Sequence, residues 1–274
     1  MKRSPIRSFK GSFLVYACLG LLLSGAAASQ ERAKDPVQGV DELYLATTFI
    51  EMFSADTKVG SATGFFYQTA DRRLFLITNR HVVIKEEDNF FPDRIQLRLH
   101  VDPSDLRHSK RFDVVLYDKE KKQKRWKDIN PSIDVIAIEL AAQDLAAFYI
   151  KPVNSTQLMP AGTTIGVGEP LVILGYPLAF FDDVNNLPVA RQGAVASAFP
   201  IPFRGDPCFL IDAILHVGTS GSPVFIRPGS TSITLSGEPV FGRRPYLIGI
   251  NSGYYGNLNL NIVWFNSVIE QLVK

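Results

Sequence analysis

Three residues of this chain fall in the order and the settings that nucleophilic catalysis requires: His81, Asp134 and Ser220. His81 sits in Leu76-Ile77-Thr78-Asn79-Arg80-His81-Val82-Val83, and Asp134 opens Asp134-Val135-Ile136-Ala137-Ile138. Ser220 lies in Gly218-Thr219-Ser220-Gly221-Ser222-Pro223. A serine hydroxyl is a poor nucleophile at neutral pH. It needs a base within hydrogen-bond reach, and the base needs a third group to fix its tautomer. His, Asp, Ser is one of the chain orders in which such a triad occurs. The glycines flanking Ser220 permit a sharp turn with the hydroxyl exposed. The same turn can aim the N–H groups of Gly218 and Ser220 at one point, where they would stabilise an oxyanion. Taken alone, the segment reads equally well as a Gly/Ser/Pro turn between two strands.

The histidine is singled out by its framing. His81 follows the apolar run Leu74-Phe75-Leu76-Ile77-Thr78 and precedes Val82-Val83-Ile84. A strand end of that kind puts a side chain at a cleft while its neighbours stay in the core. His100 ends a charged strand, His108 lies in a polar segment, and His216 is too close to Ser220 in sequence to serve as its base. The acid has two candidates on composition. Asp113, in Arg111-Phe112-Asp113-Val114-Val115, also begins an apolar stretch.

The elements that must position these residues read as strands. Short apolar runs such as Ile95–Val101, Leu171–Leu174, Cys208–Leu215 and Tyr246–Ile250 alternate with Gly, Pro, Asn and Asp. Ile95, Leu97 and Leu99 alternate with Gln96 and Arg98, as a half-buried strand does. Only residues 266–274 have a helical pattern, with Val268, Ile269 and Leu272 on one face. The expected fold class is all-β.

The N-terminus reads as an export signal over residues 1–28. Lys2, Arg3, Arg7 and Lys10 precede an apolar stretch centred on 13–23, and Ala26-Ala27-Ala28 supplies a cleavage site. The stretch is short of the roughly 20 residues that span a bilayer. Residues 29–42 are a polar lead-in. Cleavage after Ala28 removes four of the 29 basic residues and none of the 27 acidic ones, turning a formal charge of +2 into −2. Net charge therefore gives no case for a nucleic-acid partner. Cys208 is then the sole cysteine, so no disulfide forms within one chain. No Cys/His cluster has metal spacing and no glycine-rich phosphate loop occurs, so neither a metal nor a cofactor is expected. The basic run 119–127 reads as a solvated hairpin tip, with Trp126 the one hint of an anionic partner.

These motifs together resemble the trypsin-like (chymotrypsin-fold) serine proteases, and within them the bacterial HtrA/Deg branch. The family's Gly-x-Ser-Gly-x-Pro run is Gly218 to Pro223, and its Leu-x-Thr-x-x-His-Val-Val block is Leu76 to Val83. Gly60-Ser61-Ala62-Thr63-Gly64-Phe65 is similar to its Gly-Ser-Gly-x-Gly-Phe strand. Asp134-Val135-Ile136-Ala137 resembles its Asp-Ile/Val-Ala run, and Leu174-Gly175-Tyr176-Pro177 its Gly-Asn-Pro turn. The resemblance runs from about residue 43 to the end and includes no PDZ domain. It departs from the family at Thr219 and Ser222, which stand for Asn and Gly.

The resemblance implies two six-stranded antiparallel β-barrels, residues 43–150 and 151–274, with the triad between them and a short C-terminal helix. Arg111-Phe112-Asp113-Val114 resembles a strand before the catalytic acid, so Asp134 takes the acid's role. A serine endopeptidase acting on polypeptides is implied, exported to the periplasm or beyond, with an oxyanion hole at Gly218 and Ser220. The implied substrate-binding residues are Ile214, Leu215, His216, Asn251, Ser252 and Gly253. An esterase would favour Gly-x-Ser-x-Gly and the order Ser, acid, His, against what stands here. A binding or chaperone-like module that keeps the fold without turnover is the other alternative.

Overall fold

The computed structural model describes residues 39–118, 123–226, 231–234, 239–241 and 245–274; the expected leader 1–28, most of the 29–42 lead-in and Lys119–Lys122 lie outside them. Within these limits the chain is β-rich, with only two short α-helices, α1 (Glu42–Ala46) and α2 (Ser267–Leu272).

Six longer strands make the first half: β1 (Thr47–Ser54), β2 (Thr57–Gln68), β3 (Leu74–Thr78), β4 (Arg94–His100), β5 (Ser109–Val115) and β6 (Ile136–Leu140). Their hydrogen-bonded order is β5-β4-β1-β2-β3-β6, with Lys127–Asp128 added beyond β6 and Val153–Asn154 added to β2. Alternation does what the sequence promised in β4, where Ile95, Leu97 and Leu99 are buried. Val114 of β5 and Ile136, Ile138 and Leu140 of β6 share one core with Ile50, Phe66 and Leu76. The two ends of the sheet therefore wrap a common interior. Trp126 is buried in that core, edge-on to Tyr117 with ring centroids 5.3 Å apart. It anchors its segment from within, which corrects its reading as a surface contact for a partner.

The second half closes a barrel from β7 (Pro170–Gly175), β8 (Val189–Val195), β9 (Cys208–Asp212), β10 (Pro223–Ile226), β11 (Leu247–Tyr255) and β12 (Leu260–Phe265). The order is β7-β8-β9-β12-β11-β10, and β10 returns to β7. Stacked and edge-on rings of Phe199, Phe209 and Phe265 fill its interior.

A third core joins the halves. Phe65, Phe75 and Ile77 of the first half meet Phe225, Leu247 and Trp264 of the second, capped by Val268, Ile269 and Leu272 of α2. Each buried side chain of this size contributes about 2 kcal/mol, so the join is a packed interior rather than a wet hinge. The chain passes between halves from Asn154 to Leu158. Val153–Asn154 still pairs with β2, whereas Leu158 bridges to Leu247.

Candidate active site

β3 delivers His81 to the rim of this join. The strand stops at Thr78, and a 3-10 turn, Arg80–Val82, follows. Val82 and Val83 sink into the first core, which holds the turn down and leaves His81 partly open, its side chain 38% exposed. Arg80 braces the turn from outside. Its guanidinium donates to both Glu86 oxygens, at 2.9 and 2.5 Å, and lies 3.6 Å from Asp128.

Asp134 stands just before β6, beside β3, and both its carboxylate oxygens meet His81. His81 N donates to Oδ1 at 2.8 Å, and His81 Nδ1 lies 2.7 Å from Oδ2. The Ser252 hydroxyl, from β11, donates to the same Oδ2. The fully buried Asn79 donates through Nδ2 to the Asp134 carbonyl at 2.7 Å, fixing the backbone that carries the acid. Burial alone would push the Asp134 carboxyl up. The hydrogen bonds from His81 and Ser252, with the His81 charge, outweigh it and hold the carboxyl below the ordinary 3.8. A carboxylate accepting at Nδ1 assigns the proton there and leaves Nε2 with the lone pair.

Ser220 arrives on a turn clamped from both halves. Thr63 N, on β2, donates to Ser220 O at 2.9 Å, and Thr63 Oγ1 donates to Gly218 O at 2.7 Å. Gly221 N donates to Asn251 O at 2.9 Å, and Asn251 Nδ2 donates to Thr219 O at 2.9 Å. Gly221 has φ +83°, and a Cβ there would lie 2.1 Å from Thr63 O and 2.5 Å from Thr78 Oγ1. Only glycine lets the turn approach the end of β3, three residues before His81. Ser222 is fully buried, its Oγ lying 2.3 Å from where a Cβ on Gly175 would stand. The serine that departs from the family pattern thus fits because a glycine faces it. Among the described residues no hydrogen bond joins Ser220 Oγ to His81 Nε2.

The segment after β7 reaches across to this turn. Leu178 and Ala179 are both left-handed, with φ of 52° and 56°, a conformation that costs a non-glycine residue about 1–2 kcal/mol. Leu178 N donates to Val217 O at 2.6 Å. A trans peptide points its C=O and N–H in opposite directions. Holding Val217 O toward Leu178 therefore turns Gly218 N–H away from that segment. Tyr176, fully buried, backs it through rings of Phe49 and Phe181.

The residues expected to bind substrate divide. Ile214 is 60% exposed and His216 is exposed, while Leu215 packs against the second barrel's core. Gly253 is half-buried on β11, where a Cβ would stand 3.7 Å from Ile262 Cδ1. The side chains of Asn251 and Ser252, also expected to bind substrate, are engaged within the protein. Asn251 is buried and ties down Thr219, and Ser252 faces Asp134. Asp113, the other candidate acid, is exposed on β5 and accepts from Gln96 Nε2 at 2.8 Å. Thr63, Asn79 and Leu178 were not singled out. Polar residues held inside apolar strand runs were the available signal for the first two; nothing marks Leu178.

The family model of the trypsin-like peptidase domain matches residues 62–230, which is more than half of the chain and spans all three triad candidates. No curated protein matches. Among solved structures, the serine endoprotease from Yersinia pestis is similar with a TM-score of 0.50 and 13% identity, over 85% of this chain and 62% of that one. The Rv3671c protease from M. tuberculosis, in its active form, has a TM-score of 0.48 and 18% identity, over 84% and 80%. The thermostable serine protease AL20 from an extremophilic microorganism has a TM-score of 0.49 and 13% identity, over 84% and 96%. On the family match, this chain belongs to the trypsin-like peptidase family.

Proposed function

We propose that the protein is a serine endopeptidase in which Ser220 attacks the scissile carbonyl and His81 accepts its proton. Asp134 holds the imidazole in the tautomer that can take that proton and stabilises the imidazolium that results. Gly218 N–H and Ser220 N–H receive the charge that develops on the carbonyl oxygen. His81 then protonates the leaving amine, and water repeats the sequence on the acyl-enzyme. The observation that carries this reading is the two-point bond between His81 and Asp134, made beside a serine turn that both halves clamp. Apo geometries of this kind often tighten to a Ser–His hydrogen bond only with substrate present. Covalent labelling by a fluorophosphonate tests the reading. Wild type is expected to be labelled at Ser220, and an unlabelled protein would remove the nucleophile.

The left-handed Leu178 supports the oxyanion assignment and gives it a test. Leu178→Gly and Leu178→Asn keep the conformation and are expected to retain kcat. Leu178→Val, whose β-branch resists it, is expected to lower kcat by about tenfold with KM little changed, the equivalent of one left-handed penalty. Steady-state kinetics decide. An order in which Val is active and Asn is not would mean that the side chain, rather than the backbone, matters.

The residues left to form a primary pocket, Ile214, Leu215 and Gly253, carry no acid. A basic side chain would lose hydration there without a counter-charge. Cleavage is therefore expected after small or medium uncharged residues such as Ala, Val or Leu. A peptide-library profile checks this. Dominant cleavage after Arg or Lys would sink the pocket assignment, and dominant cleavage after Glu would bring the exposed His216 into it.

Residues 1–28 are proposed to export the chain and then to be removed. Mass spectrometry of the exported protein is expected to find an N-terminus at or near Ser29. An intact Met1 in the membrane fraction would favour an anchor.

A further inference from the structure

Between the first sheet and the segment after β7 lies a cleft of about 520 Å³ whose walls carry Lys58, Arg98, Lys110 and Arg111. Its one carboxylate, Glu51, is taken by Lys58 at 2.6 Å. Among the described residues Arg98 donates only to neutral acceptors, Ser109 Oγ at 2.9 Å and Asp183 O at 3.2 Å. Lys110 and Arg111 are exposed and have no carboxylate partner among the described residues. Three cations therefore share the cleft without a counter-ion.

The register makes the excess sharper. Arg98 of β4 stands directly opposite Arg111 of β5. Like charges in facing positions of an antiparallel pair are destabilising. Two residues along, the facing pair is Gln96 and Asp113, joined at 2.8 Å, which is how the same two strands look when complementary. An anion between Arg98 and Arg111 would relieve the repulsion.

The cleft also borders the segment after β7 that bonds to the start of the Ser220 turn. Ala179 and Phe181 form one wall, and Phe181 packs at a tilt against Phe49 of β1 with centroids 5.2 Å apart. Ala179 follows Leu178, which is bonded to Val217 O. The cleft thus starts next to the Val217–Gly218 peptide. β11 holds the Ser220 turn from the other side through Asn251. With β11 on one side of the Ser220 turn and Leu178 on the other, a polypeptide lying along β11 would extend past Ser220 toward Leu178 and this basic wall.

We propose that this cleft binds an acidic stretch of the polypeptide substrate on the leaving-group side of the scissile bond. The inference rests on the endopeptidase reading and names a substrate class for it.

Three quenched fluorogenic peptides with one cleavable centre test it. One carries three Glu beyond the cut, one three Gln there, and one three Glu before the cut. The first is expected to show about tenfold higher kcat/KM than the second at low ionic strength, decaying toward parity at about 0.5 M salt as screening sets in. In the double variant Lys110→Glu, Arg111→Glu the Glu/Gln ratio is expected to fall to one or below. Equal cleavage of the first two peptides by wild type would overturn the proposal. So would a preference that follows the block before the cut, or one that survives in the double variant. If no peptide were cleaved and fluorophosphonate left Ser220 unlabelled, the endopeptidase reading itself would fall, a result distinct from equal cleavage.

Discussion

Ser220→Ala is expected to fold as wild type does and to lose about 10⁶-fold in kcat, the scale seen when a triad nucleophile is removed. The fold survives because the turn is held by other groups. Ser220 contributes its carbonyl to Thr63 N, Gly221 N bonds Asn251 O, and Asn251 Nδ2 bonds Thr219 O; the serine hydroxyl takes part in none of these. Kinetics on a peptide substrate, with a thermal melt on the same sample, check both halves of the statement. Turnover within about a hundredfold of wild type would take Ser220 out of the chemistry.

Asp134→Asn is expected to lower kcat by about 10⁴-fold while the protein stays folded. The amide can present a donor to His81 Nδ1, which selects the tautomer that places a proton on Nε2 and leaves no base for Ser220. Asp113→Asn is expected to be mild, since Asp113 is exposed on β5, where it meets Gln96 and Arg94 and not His81. Comparable losses from the two would undo the assignment of the acid. The substitution has a second signature. The Asp134 carboxyl is held below 3.8 by His81 and Ser252. A depressed carboxyl binds fewer protons folded than unfolded, so its stabilisation is complete above the unfolded value and fades as pH falls through the lower folded one. The stability gap between wild type and Asp134→Asn is therefore expected to narrow below about pH 4. A gap that widens on acidification would mean that the ion is not stabilised where it sits. Denaturant titrations across that range read it out.

Local patterning made the strands of both halves legible, because alternation such as Ile95, Leu97 and Leu99 is dictated by which face meets the core. The terminal helix was legible for the same reason, expected over 266–274 and found at Ser267–Leu272. His81 and Asp134 stood out because each sits at an end of an apolar run, and Ser220 because glycines flank it. What stayed hidden depends on pairs distant in sequence. Asn251 and Ser252 look like pocket polar groups until β11 is seen to carry one to Thr219 and the other to Asp134. Ser222 looks like a disturbance until Gly175 is seen to face it. Trp126 looked like a surface aromatic in a charged run because the core it enters is assembled from strands on either side of it. Leu178 carries no signal at all, since its contribution is a backbone N–H that every residue but proline owns.

Thr63 gives the architecture a practical property. This one residue of the first half meets Gly218, Ser220 and Tyr176 of the second, so neither half owns a finished site. The sole covalent link between them on this side runs through the short passage from Asn154 to Leu158. A chain interrupted there would give two pieces, one bearing His81 and Asp134 and the other Ser220, and on the proposed function each would be silent alone. Hydrolysis would return only where the pieces meet, which makes the fold a two-input sensor: fused to a pair of candidate interactors, the fragments would report their encounter as catalytic signal, multiplied by every turnover.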